Sequence, residues 1–180
     1  MKKAIVITLL ALMLIHPTPV YAVEEEIPIP AEVALAAEYA GDQYGICPEL
    51  LEAIAYHESR YTSDIVSGSC YGLMQVNLSS HKARLQKLNI KESDILDPFK
   101  NMIVAADYLA ELFETYEDPT VVLAVYHGEK NYSADKPSKY VKSILEHSKE
   151  LEKEHDAKLN GGVLSRNDNL VRLSQSVHRE

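Results

Sequence analysis

From Ala31 to about His155 the apolar residues recur at three- and four-residue intervals, and no stretch alternates with period two for long enough to make a strand. That pattern restricts the chain to a mainly α fold. Asp97-Pro98 and Asp118-Pro119 each place a capping carboxylate before a proline at a first helical position. Pro48 is expected to open a helix in the same way, and Gly128 to end the one that starts at Pro119. Between Asp97 and Asp118, Phe99, Met102, Ile103, Ala106, Leu109, Ala110, Phe113 and Tyr116 form one continuous stripe. A second stripe, Tyr140, Val141, Ile144 and Leu145, follows Pro137 and runs into charges from Lys149 to Glu154 that read as a solvated face.

The flanks read differently. Lys2 and Lys3, the apolar run Ala4 to Ile15, too short to span a bilayer comfortably, and the small-x-small triplet Val20-Tyr21-Ala22 make residues 1–22 an expected signal peptide. Residues 23–34 are expected to be a linker, 35–148 the domain, and 149–180 a charged helix extension with a mobile tail. The protein is therefore expected to be secreted and extracytoplasmic, with no stable membrane insertion once the leader is gone.

Loss of two lysines with the leader takes the formal net charge from −9 to −11. Such a surface disfavours nucleic acid and anionic membrane. It does not oppose a polysaccharide, which is held by hydrogen bonds and stacking. The two cysteines, Cys47 and Cys70, are expected to pair as a disulfide in an oxidising compartment. The alternative is a catalytic thiol at Cys70 with His127, which is disfavoured because such peptidases usually contain a sheet.

The stretch YHESRY, residues 56–61, holds the candidate chemistry. A zinc-protease helix needs two histidines four apart, and Tyr61 stands where the second would be, so no metal site is expected. On a helical wheel, Cys47, Leu50, Leu51, Ile54 and Ala55 fall within one arc. Glu58 lands in the middle of that apolar arc, whereas Glu52 and Ser59 land on the opposite side. Glu58 is thus the one acidic residue of this helix expected on its buried face. Desolvation there raises a carboxyl pKa and keeps a proton available for a glycosidic oxygen. The bland alternative is a buried glutamate that only satisfies a neighbour.

HESRY, SGSCYGLMQVN, DPFKNMIVAADYLAELF, VLAVYHGE and YVKSIL occur in this order. Together, over about residues 35–147, they resemble the soluble lytic transglycosylase family, relatives of goose-type lysozyme that cleave peptidoglycan glycan strands. The resemblance implies a lysozyme-like helical domain with a glycan-binding groove, no cofactor, and Glu58 as sole catalytic acid and base. It implies cleavage between N-acetylmuramic acid and N-acetylglucosamine, with attack by the muramic C6 hydroxyl giving a 1,6-anhydro end.

The resemblance also implies that Ser67, Gly72, Met74, Gln75, Tyr126 and Tyr140 bind substrate, and that Asn101 is structural. Met74 reads equally as core filler, and each tyrosine alone reads as helix packing. Two departures stand out. His127 replaces the family's asparagine after the tyrosine, with one residue missing before Gly128, and the Glu58–Gly72 loop is one residue short. Rival readings are a hydrolysing muramidase using a second carboxylate such as Asp64, and a secreted domain that binds glycan without cutting it. Targeting by a secretion or conjugation machine is a further expectation.

Overall fold

The computed structural model describes residues 27–160. The expected leader, the first linker residues and the tail from Gly161 lie outside the described residues. Six α-helices carry the architecture: α1 (Ala31–Tyr44), α2 (Pro48–Ser59), α3 (Lys82–Lys87), α4 (Pro98–Tyr116), α5 (Pro119–Tyr126) and α6 (Lys139–Asn160). α1 begins at Ala31, inside the span expected to be linker.

The helix starts follow their sequence chemistry. Asp97 accepts the Lys100 amide and Asp118 accepts the Thr120 and Val121 amides, each with proline next in the chain. Pro48 is likewise the first residue of α2. Gly128, at φ 80°, turns the chain just after α5, in a conformation a side chain disfavours.

The helices close a ring around the core. α4 packs against α1 and α5, α2 packs against α1 and α6, and α5 touches α6. Met102, Val104, Ala106 and Leu109 of α4 are fully buried, each large side chain worth about 2 kcal/mol of transfer free energy. The buried band on α4 is wider than the stripe in the sequence, because Val104, Ala105 and Leu112 are enclosed as well. A helix with neighbours on two sides buries more than one face.

Three expectations are corrected. A small antiparallel sheet does form, β1 (Val66–Ser67), β2 (Cys70–Tyr71) and β3 (Val76–Asn77), with Ser67 opposite Cys70 and Tyr71 opposite Val76. Each strand has two residues, so alternation had no length over which to show. The Cys47–Cys70 disulfide is absent, and both cysteines are free thiols. Cys47 caps the start of α2 and its Sγ donates to Glu49 Oε2 at 2.8 Å, whereas Cys70 shares a cleft with Glu58 at the far end of the same helix.

The third correction concerns the polar side of α2. Glu52 and Ser59 are buried, as is Glu49, because α6 lies along that side. The charged end of α6 is no free face: Leu151 is buried, and His155 Nδ1 sits 2.8 Å from Glu49 Oε1 with its Nε2 3.9 Å from Glu52 Oε2.

Candidate functional site

Glu58 lies in the last turn of α2, with its side chain 15% exposed on the wall of a cleft of about 610 Å3. The Tyr140 hydroxyl, from the first turn of α6, donates to Glu58 Oε1. Ser138 sets that turn in place: its Oγ accepts the Val141 amide at 3.2 Å and donates to Glu129 Oε1 at 2.6 Å. His127, at the end of α5, brings Nδ1 to 3.9 Å from the same Oε1. Its ring lies flat on Tyr140, with centroids 3.7 Å apart and planes 18° apart.

Burial lifts the Glu58 pKa above the ordinary carboxylate range. The Tyr140 hydrogen bond and the nearby His127 pull the other way and reduce the lift without cancelling it. The Tyr140 phenol is pushed far up by burial and by the adjacent carboxyl, so it remains a hydrogen-bond donor. Both partners address Oε1, so a proton on Oε2 meets neither of them.

The loop from Gly72 to Gln75 is built on Asn101. This fully buried side chain accepts the Met74 amide at 2.7 Å and donates to the Tyr71 and Ile95 carbonyls, each at 2.8 Å. A β-carbon on Gly72 would lie 2.5 Å from Asn101 Nδ2, and Gly72 has φ 74°. Glycine is required there so that the loop can rest on the asparagine. Tyr126 completes the support, donating its hydroxyl to the Met74 carbonyl at 2.8 Å.

The cleft therefore gathers only part of the expected set. Glu58, Ser67, Gln75 and Tyr126 line it, and Tyr140 reaches it through Glu58. Gly72 and Met74 do not line it. Gly72 is buried against Asn101, and the Met74 side chain is fully enclosed in the core. Tight internal packing is by itself a reason for glycine at position 72. Gln75 has its Nε2 on the Gly72 carbonyl at 2.9 Å, which leaves its Oε1 as the acceptor toward a ligand.

Residues on α3 and α4 form the far wall, and sequence reasoning did not assign them to the site. Tyr108 stacks obliquely near Tyr126, with centroids 5.9 Å apart, and His81 lies 4.7 Å from Tyr108. Arg84 binds Asp107, and binds Glu111 at 2.7 Å; Lys87 also reaches Asp107, at 2.9 Å. Burial works against the Asp107 anion, but the Lys87 and Arg84 contacts outweigh it and hold its pKa below the usual range. Tyr108 stood outside the apolar stripe of its helix, and a large aromatic off the stripe was the available signal. Asp64 is exposed and is not part of the cleft lining. Glu111, which does line it, is the carboxylate held by Arg84.

A family model for the transglycosylase SLT domain matches residues 36–146. A curated X polypeptide of Escherichia coli is 38% identical over 91 residues, covering 47% of this chain and 53% of the relative. Another, from Escherichia coli strain K12, is 39% identical over 85 residues, covering 44% and 50%. The chain thus spans about half the length of the curated relatives it matches. Among solved structures, an inactive glutamate-to-glutamine mutant of lytic transglycosylase Slt from Pseudomonas aeruginosa matches with a TM-score of 0.60 at 19% identity. The match covers 68% of this chain and 24% of the other, and it shows a shared fold.

Proposed function

This chain belongs to the transglycosylase SLT domain family, and on that premise we propose that it is a secreted peptidoglycan lytic transglycosylase with Glu58 as general acid and base. The observation that carries the proposal is the setting of Glu58: a sheltered carboxyl on the wall of an open cleft, inside the matched span, with its pKa raised by burial. A carboxyl in that state keeps its proton to higher pH than one in water and can pass it to the oxygen bridging N-acetylmuramic acid and N-acetylglucosamine.

The proton leaves from Oε2 while Tyr140 keeps Oε1 fixed. The carboxylate so formed then accepts the proton of the muramic C6 hydroxyl as that oxygen closes on C1. One proton is given and one is recovered, the glycosidic bond breaks, an intramolecular C–O bond forms, and water is not consumed. The acetamido group of the substrate supplies the nucleophilic assistance that a second carboxylate supplies in other glycosidases. The engagement of Glu111 by Arg84 supports this reading over a hydrolysing muramidase.

Among the described residues no helix is long and apolar enough to cross a membrane. An extracytoplasmic site of action follows from the proposed substrate and from the leader-like residues 1–22. Delivery by a secretion or conjugation machine remains part of the same proposal.

The test is digestion of purified peptidoglycan with product masses read by mass spectrometry. The parent protein is expected to release anhydro-muropeptides, each one water lighter than a hydrolysis product. Glu58→Gln keeps the shape, lacks the proton, and is expected to release them at least about 10³-fold more slowly. Equal rates for the variant remove Glu58 from the chemistry, and exclusively reducing-end products from the parent make the reaction a hydrolysis.

A further inference from the structure

His127 is 44% exposed, so it is not held in place as core filling, yet its ring lies nearly parallel on Tyr140 and its Nδ1 faces Glu58 Oε1. The same ring thus touches the phenol that holds the acid and stands within 4 Å of the acid itself. We propose that His127 is a positioning residue for Glu58: it clamps the Tyr140 ring so that the phenol stays on Oε1, and its imidazole acts on that carboxyl through space. The role in catalysis rests on the function proposed above; the contact with the carboxyl does not.

The second part of the role is electrostatic. A cationic imidazole 3.9 Å from the Glu58 carboxyl stabilises its ionised form. His127 therefore moves the working range of Glu58 to lower pH than burial alone would set.

The surroundings are consistent with a two-member pair. From α2, besides Glu58, comes His57, whose ring is 6.5 Å from that of Tyr140. Burial, and then His147 and Arg60, hold His57 in its neutral form. From α6 comes Tyr140, and from α5 itself Tyr126; both phenols are raised by burial and stay protonated. Cys70 of β2 lies on the Tyr126 side, and Glu129, just after α5, is engaged by Ser138.

Two variants separate the clamp from the charge. His127→Phe keeps a flat ring on Tyr140 and cannot ionise, whereas His127→Asn loses both the ring and the charge. The Glu58 carboxyl carbon is followed by NMR against pH in the full chain. Both variants are expected to titrate at higher pH than the parent, because the imidazole works against the lift that burial gives Glu58. On peptidoglycan, His127→Phe is expected to retain more kcat than His127→Asn, because it keeps the ring on Tyr140. His127→Asn is expected to lose about tenfold in kcat with KM little changed.

Superimposable titrations of the parent and His127→Phe overturn the electrostatic contact, and equal kcat for the parent and His127→Asn overturns the clamp. A parent that releases no product from peptidoglycan defeats the proposed function instead, while the carboxyl titration still decides whether the pair exists.

Discussion

The two ends of α2 both carry glutamates, and they meet opposite fates. Near the start, Glu49 and Glu52 are enclosed beneath α6, with His155 set against them. At the end, Glu58 is less deeply buried and opens on a cleft, with Tyr140 and His127 both on Oε1. Glu49 and Glu52 do not line the cleft that holds Glu58. A catalytic acid needs shelter enough to hold its proton and exposure enough to deliver it. The first pair packs beneath α6, whereas Glu58 combines the shelter and the opening that the proposed chemistry needs.

The sharpest way to break this comparison is to exchange the losses. Glu58→Gln should abolish turnover while leaving the fold at least as stable as the parent at pH 7. The sign follows from the raised pKa: burial favours the protonated form, so the benefit is complete below the unfolded-state pKa and is lost as pH rises through the folded one. A neutral glutamine avoids that loss, and its advantage in urea unfolding should shrink as pH falls toward about 4.3. A variant that is less stable than the parent at neutral pH contradicts the assigned cause.

His155→Ala should do the reverse. It removes a partner of two enclosed carboxylates and should cost about 1 kcal/mol or more in denaturant unfolding, with activity per folded molecule unchanged. If turnover falls instead, the two ends of α2 are not independent.

Tyr140→Phe tests the contact at the acid itself. It deletes the hydroxyl on Oε1 and should lower kcat about tenfold. It should also move the Glu58 titration to higher pH, since that hydrogen bond favours the carboxylate. The smallest effect is expected from a reducing agent. With Cys47 and Cys70 both free, melting temperature and activity should not change on its addition; a loss of stability restores the bridge.

Much of this molecule was legible along the chain. Asp97, Asp118, Pro48 and Gly128 act within one turn of their own position, so helix ends could be read from local chemistry. The wheel placed Glu58 among the apolar residues of α2, and the cleft wall is where it lies. The same wheel put Glu52 in water, which it is not, because periodicity describes one helix and is silent on a second helix laid across its polar side. The two-residue strands lay below the length at which any period can be recognised.

By itself, the sequence determined a helical domain, its punctuation, and a glutamate poised between apolar neighbours, because these depend on contacts within a few residues. Tertiary structure alone decided that α6 covers Glu52, that Gly72 packs on Asn101, and that His127 meets Glu58. Each of these joins residues that are far apart in the chain and become neighbours only when the ring of helices closes.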